Sequence, residues 1–140
     1  MRDVSRAGFV PYARPSRYLD LIGPVYQAAD DPAAVGLLVD ERLTNSRGFL
    51  HAGVLVAVAD TVMGHTAERA AGDGVRLMTV SMTSEFPGSA QLGDWIDGSA
   101  AARRVGRRLA FTNCEFRVGD RLVLLASAVF AVSRSPSPPP

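Results

Sequence analysis

The sequence predicts an α+β domain in which an antiparallel sheet wraps around one long central helix. Residues 52–71 contain no proline and carry apolar side chains on most sides, which is typical of a buried helix. One short apolar run, residues 33–40, precedes this helix, and four strand-like segments follow it. A chain of 140 residues is long enough for one such domain and too short for two ordinary ones.

The segment before the first predicted strand carries weaker signals. Residues 1–15 contain scattered Arg, Gly and Pro without a period, so we expect a flexible arm. Residues 16–29 show helical spacing interrupted by Gly23 and Pro24, which predicts two short helical pieces that either pack on the core or form a lid over a pocket. The domain is therefore predicted to span residues 16–133.

One stripe of the central helix consists of small residues with a single carboxylate among them. At 100° per residue, the stripe falls within about 60° of the helix circumference. Its members are Gly53, Ala57, Asp60, Gly64, Ala67 and Ala71. Small residues allow close packing against a sheet or a partner helix, and a carboxylate in such a place needs a partner. Asp60 is therefore either a structural acid bonded to backbone amides or a functional one.

The second half of the chain reads as consecutive strands joined by turns. The strand candidates are residues 77–86, 95–104, 108–118 and 121–133. Turn dipeptides separate them, such as Gly93-Asp94 and Gly119-Asp120. Both faces of the last candidate are largely apolar, which suggests an oligomer interface. Residues 134–140 are rich in Ser and Pro and are predicted to be a disordered tail.

Composition excludes several classes of function. Fifteen basic and fourteen acidic residues give a net charge of +1, so neither nucleic acid nor a membrane surface is predicted as a partner. No residue is Lys, which excludes Schiff-base chemistry. A single cysteine allows no internal disulfide and no thiolate metal site, and no basic-then-apolar leader opens the chain. We therefore expect a cytoplasmic protein without metal or redox cofactor.

A motif spans the loop and the first half of the central helix. Asn45 is followed by Gly48, by His51-Ala52-Gly53, and by Asp60 nine residues after the histidine. This motif resembles that of the hot-dog-fold acyl-CoA thioesterases of the phenylacetate-pathway type, and the likeness extends over residues 33–132. Ala52 departs from the family's His-Gly-Gly. Thr79 stands where the family often has a Ser or Thr near the acid.

The resemblance implies hydrolysis of a coenzyme A thioester, and the residues suit that chemistry. Asp60 is the acid of the stripe and can attack the carbonyl or act as general base on water. The amides of Ala52 and Gly53 lie at a helix N-terminus and can stabilise an oxyanion, although an Ala52 held at positive φ would be strained. Asn45 orients water or the carbonyl, or else only shapes its loop.

The two histidines are assigned lesser roles. His51 precedes the helix and suits a structural hydrogen bond or a substrate contact better than a catalytic base. His65 points about 140° away from Asp60 on the helix, which favours a surface or packing position.

The helix length predicts a site shared between two chains. Ala52 and Asp60 are separated by about 12 Å of helix rise, so one chain cannot bring both to the same carbonyl carbon. An antiparallel pair of helices across a two-fold axis can, and the resemblance implies the same arrangement. We therefore expect a homodimer, or a dimer of dimers.

An arginine cluster around one predicted hairpin is the candidate site for the substrate's phosphates. Arg103, Arg104, Arg107 and Arg108 either bind coenzyme A phosphates or form a soluble surface turn. Two other functions stay open, because the fold also serves other chemistries. They are a non-catalytic acyl-CoA binding module, which the Ala52 departure favours, and a dehydratase or hydratase that uses His51.

Overall fold

The computed structural model describes residues 6–134 of the chain. Two helices and seven strands make up this part, with a short 3-10 turn at Glu41–Leu43. In chain order they are β1 (Phe9–Pro11), α1 (Arg17–Ile22), β2 (Val25–Ala28), β3 (Asp31–Leu38), α2 (Ala52–Ala71), β4 (Val75–Glu85), β5 (Trp95–Val105), β6 (Leu109–Val118) and β7 (Arg121–Arg134).

All seven strands form one antiparallel sheet that packs against α2. The strand order is β1-β2-β3-β5-β6-β7-β4. Because β4 pairs with β7 and not with β5, it forms one edge of the sheet, and β1 forms the other. Helix α2 contacts β3, β4, β5, β6 and β7. The predicted α+β architecture, a sheet around one long helix, is confirmed.

Helix α2 has the bounds that the sequence predicts. It begins at Ala52 and ends at Ala71, where Gly72 adopts a φ of 92° and donates its N–H to the carbonyl of Glu68 at 3.1 Å. Val54, Leu55, Val58, Val62 and Met63 are buried in the core, and Val56 is partly exposed. Of the small-residue stripe, Ala67 is fully buried and Gly64 faces the Phe130 ring, while Gly53 is exposed. No helix within residues 6–134 has the length and hydropathy to cross a membrane.

The N-terminal part differs from the flexible arm predicted for residues 1–15. Residues 9–11 pair with β2 as strand β1, and Tyr12 is 7% exposed within the core. A three-residue strand carries no period, so only its pairing reveals it. Residues 1–5 lie outside the described residues. So do residues 135–140, which make up most of the predicted tail. The bounds of the domain stay a prediction.

The prediction of two short helices in residues 16–29 is right for the first piece only. Helix α1 buries Leu19 in the core, as a packing helix does. The second piece is strand β2, because its backbone groups pair with β1 on one side and β3 on the other.

Two glycines allow aromatic rings to lie flat on the sheet. A Cβ on Gly98 would lie 2.4 Å from the ring of the buried Phe116, and a Cβ on Gly36 would lie 2.1 Å from the Trp95 ring. Any side chain at either position would therefore displace a large ring from its neighbouring strand.

Candidate active site

A carboxylate and a hydroxyl meet where α2 crosses β4. The Thr79 hydroxyl donates a hydrogen bond of 2.7 Å to Oδ1 of Asp60. Asp60 lies in the middle of α2 and is partly exposed, and Thr79 is exposed on the edge strand. The structure thus brings together the acid and the hydroxyl that the sequence proposes as partners.

Asp60 and Thr79 open onto a cleft of about 330 Å³. Helix α2 supplies one wall with Asp60, Gly64, His65 and Glu68, and the sheet supplies another with Leu77, Thr79 and Phe130. The third wall is the segment before α1, with Arg14, Pro15 and Ser16. The sequence did not assign this third wall to the site, because the segment has no periodic pattern.

His65 lines this cleft and packs on Tyr12, which is one of the two positions, surface or packing, that the sequence predicted. Its Nδ1 accepts a 2.5 Å hydrogen bond from the Tyr12 hydroxyl, and the two rings stack at 5.6 Å. Burial, followed by the charge of Arg14, lowers the pKa of His65 to about 4, and burial raises the pKa of Tyr12. The imidazole is therefore neutral at pH 7 and suited to accept this bond.

Asn45 organises the loop before α2. Its Oδ1 accepts hydrogen bonds from the amides of Arg47 at 2.9 Å and Phe49 at 3.2 Å. Gly48 completes the turn with a φ of 81°, a conformation that favours glycine. The loop-forming role considered for Asn45 is thus present, and its side-chain NH₂ takes no part in these bonds.

His51 caps α2 and changes which amides are available at the helix end. Its Nδ1 accepts the N–H of Gly53 at 2.9 Å. The prediction that Gly53 offers a free amide to an oxyanion is therefore wrong for this conformation, because the His51 ring already accepts that N–H. In its neutral form the capping ring is protonated on Nε2.

Ala52 is tolerated without strain in place of the family's glycine. No residue other than glycine within residues 6–134 has a positive φ, so Ala52 carries no conformational penalty. Its N–H has no acceptor among those residues. The first amide of α2 is thus the one available to a ligand.

One chain does not bring the loop residues to Asp60. Asn45, His51, Ala52 and Gly53 do not line the cleft, and the helix rise from Ala52 to Asp60 is about 12 Å. The structure therefore separates the predicted site into two groups at different heights along α2.

Of the four arginines at the β5–β6 hairpin, three lie together and one lies apart. Arg104, Arg107 and Arg108 line one depression. Arg103 instead donates from Nε to Oδ1 of Asn113 at 2.9 Å. In the sheet register, Thr79 pairs with Phe130, Phe130 with Ala110, and Ala110 with Val105, so the hairpin lies two to three strands, or about 10 to 14 Å, from Thr79.

Comparisons with known proteins identify the family. The model of the thioesterase superfamily matches residues 47–125, more than half of the 140-residue chain. The "Putative esterase PA0474" of Pseudomonas aeruginosa is 35% identical over 125 residues, which cover 88% of this chain and 93% of that protein.

Solved structures share the fold at low sequence identity. Thioesterase HI1161 of Haemophilus influenzae aligns with a TM-score of 0.76 at 18% identity, covering 84% of this chain and 82% of its own. The protein smu.793 of Streptococcus mutans, solved bound to acetyl CoA, aligns with a TM-score of 0.66 at 19% identity, covering 73% and 81%. The hot-dog fold predicted from the motif is thereby confirmed, and the chain belongs to the thioesterase superfamily.

Proposed function

We propose that this thioester hydrolase is an acyl-CoA or aryl-CoA thioesterase that releases a free acid and coenzyme A. The observation that carries the proposal is the Asp60 carboxylate, held by Thr79 at 2.7 Å beside an open cleft in a thioesterase-superfamily fold. Coenzyme A as the carrier is supported by the acetyl CoA bound to smu.793 and by the three arginines that share one depression. The phenylacetate-pathway subtype stays a prediction.

The Asp60 carboxylate acts by one of two routes. As a nucleophile, the carboxylate attacks the thioester carbonyl and expels the coenzyme A thiolate, and water then hydrolyses the resulting anhydride. As a general base, it takes a proton from a water that attacks the same carbon. The Thr79 hydroxyl engages Oδ1, which fixes the carboxyl plane and leaves Oδ2 to react.

The N-terminal end of α2 supplies the hydrogen-bond donors for the reaction. The Ala52 N–H and the Asn45 side-chain NH₂ are the donors proposed for the oxyanion that forms on the carbonyl. The helix dipole favours negative charge at this end. The Gly53 N–H joins them only if the His51 ring turns away from the position it holds in this structure.

We propose that two chains complete each site. The outer edge of β4 carries Thr79 and has exposed Met78 and Val80, 72% and 61% accessible, beside it. Pairing two β4 edges antiparallel would continue the sheet and set the two α2 helices side by side in opposite directions. The Ala52 end of one helix would then lie level with Asp60 of the other.

A second interface would make a dimer of dimers. On the face of the sheet away from α2, Leu109 and Phe111 of β6 are each 41% exposed. They pair with Ala131 and Val129 of β7, so their apolar surfaces adjoin.

The single buried cysteine, Cys114, fits the cytoplasmic location that we also propose.

The test of function is release of free thiol from a panel of acyl- and aryl-CoA esters. Asp60→Asn preserves the size of the side chain and its bond to Thr79, and should lower kcat by about 10²- to 10⁴-fold. Asp73→Asn is the matched control, because Asp73 is exposed in the turn after α2. A folded Asp60→Asn protein that keeps its turnover would refute the mechanism.

One alternative function keeps support from the structure. The engaged Gly53 amide leaves fewer free donors for an oxyanion, which favours a non-catalytic acyl-CoA binding module. Such a module would bind acyl-CoA in a titration and release no thiol.

A further inference from the structure

The segment between β1 and α1 is tied down on both sides and covers part of the cleft. We call residues 12–16 the strap. Its backbone is fixed to β2 by the Tyr12 N–H, which donates to the Val25 carbonyl at 3.0 Å, and by the Ala13 N–H, which donates to Oε1 of Gln27 at 2.8 Å. At its other end, the Ser16 side chain caps α1.

Two side chains join the strap to α2. The Tyr12 hydroxyl binds Nδ1 of His65 at 2.5 Å, and its ring stacks on the imidazole. One helical turn further on, the Arg14 guanidinium forms an ion pair with the carboxylate of Glu68. The strap is thus held against the wall of the cleft that carries Asp60.

The ion pair lies at the end of the cleft remote from the reacting groups. Asp60 and Glu68 are separated by eight residues of α2, or about 12 Å. Both Arg14 and Glu68 line the cleft, and the Glu68 side chain is 21% exposed. A chain that extends from a thioester beside Asp60 along α2 therefore meets a charged pair after two helical turns.

On the basis of the thioesterase function proposed above, we propose that this cleft is the acyl subsite and that the Arg14–Glu68 pair limits the length of the acyl group it takes. A compact acyl group ends before the pair. A longer alkyl chain would have to remove water from both charges without replacing the hydrogen bonds that water makes. The class of substrate is thus short or compact acyl thioesters, with long alkyl chains excluded.

Binding of non-hydrolysable thioethers tests this limit without requiring turnover. S-ethyl-, S-butyl- and S-octyl-coenzyme A would be titrated calorimetrically into the full-length protein. For the wild type, affinity should increase from ethyl to butyl and not increase further to octyl. The double variant Arg14→Ala/Glu68→Ala removes both charges and leaves the net charge unchanged. In this variant the octyl analogue should bind about tenfold or more tightly than the butyl analogue.

Matched variants separate a length limit from a general effect of mutation. Arg17→Ala/Asp20→Ala removes one arginine and one acid from exposed positions of α1 outside the cleft, and should leave the octyl-to-butyl ratio unchanged. Glu68→Gln keeps the size of the side chain and breaks the ion pair. It should therefore raise the octyl-to-butyl affinity ratio, but by less than the double variant does. This variant also serves if the double variant does not fold.

Two results would overturn the inference. One is an octyl-to-butyl ratio that is the same in the wild type and in both cleft variants, and the other is failure of all three analogues to bind. Absence of thiol release from acyl-CoA esters, with the analogues still bound and ranked as expected, would refute the hydrolase mechanism and leave the length limit standing.

Discussion

At the scale of single residues, the protonation of His65 depends on its surroundings. The ring is half-buried between Tyr12 of the strap and α2, and the charged groups nearest to it are Arg14, Glu68, Arg69 and Asp60. Burial is the largest cause that lowers its pKa to about 4, from 6.5 for an unperturbed histidine. The folded protein therefore disfavours the protonated ring.

This pKa shift predicts a stability change with pH. Between pH 6.5 and about 4 the unfolded chain binds a proton at His65 that the folded chain does not, so the free energy of unfolding falls as the pH is lowered through this window. One proton gives a slope of at most about 1.4 kcal/mol per pH unit, and partial exposure reduces it. His65→Asn should lose stability less steeply than the wild type in urea unfolding at pH 7, 5.5 and 4.5. Equal losses in the two proteins would contradict the burial of a neutral ring.

The residues of the site were predictable to different degrees. The spacing from Asn45 to Asp60 pointed to the acid and to the helix end, because these residues are close in sequence. His65 packs on Tyr12, as one of the two positions predicted for it, but its place in the wall of a cleft was not predicted, because an angle on one helix does not tell how wide a cleft the rest of the fold leaves beside it. The position of His51 before the helix predicted a structural hydrogen bond, but not that this bond would engage the Gly53 amide, because the choice of acceptor depends on one side-chain rotamer.

At the scale of elements, the β5–β6 hairpin separates arginines that are neighbours in sequence. Arg103 is hydrogen-bonded to Asn113 on β6, whereas Arg104, Arg107 and Arg108 share a depression two to three strands from Thr79. The three residues are therefore the better candidates for coenzyme A phosphates, and Arg103 becomes a control that the sequence did not offer.

Replacing the three hairpin arginines should weaken substrate binding more than chemistry. Arg104→Gln/Arg107→Gln/Arg108→Gln should raise KM by about tenfold, as expected from three exposed ion pairs of about 0.5 kcal/mol each, with kcat changed less. The dependence of KM on salt should also weaken. Steady-state kinetics at two ionic strengths measure both effects, and Arg103→Gln is the matched single variant. If KM is unchanged in the triple variant, the cluster is a surface turn.

Long elements were predictable from sequence, whereas among the short ones helix α1 was predicted and strands β1 and β2 were not. Helix α2 and strands β5 to β7 carry ten or more residues each, so their periods and their glycine-marked ends are clear. Strands β1 and β2 have three and four residues and exist because of their partners. The pairing of β4 with β7 is likewise a long-range choice, since a strand's own residues do not specify its neighbour.

At the scale of the whole molecule, the residues proposed for the site fall into two separate groups on a single chain. The acid and Thr79 lie at one height of α2, and Asn45 and the Ala52 amide lie at its N-terminal end. The two-fold pairing proposed above would combine one half from each chain, so two chains would form two sites.

Mixing two inactive variants tests the shared site. Asn45→Asp keeps the oxygen that accepts the Arg47 and Phe49 amides and removes the NH₂ donor, so the loop should survive while activity is lost. Asp60→Asn removes the reacting carboxylate. When the two are unfolded together and refolded, about half of the dimers are mixed and each carries one intact site of two, so roughly a quarter of wild-type activity should return.

Mass spectrometry of the refolded mixture provides the control by showing that mixed dimers form. If mixed dimers are present and the mixture stays inactive, both residues serve the same chain's site and the two-chain arrangement is wrong.

The free edge of β4 has a further consequence for the chain on its own. Strand β4 has eleven residues, and about every second one presents its backbone N–H and C=O on that edge, with the side chains of Met78 and Val80 exposed beside them. Such an edge is a template for any extended segment and a starting point for aggregation. A substitution that prevents the two-fold pairing would therefore not yield a well-behaved monomer. If two chains pair as proposed, it would leave a chain that is both inactive and prone to aggregate, and the pairing would protect solubility as well as complete the site.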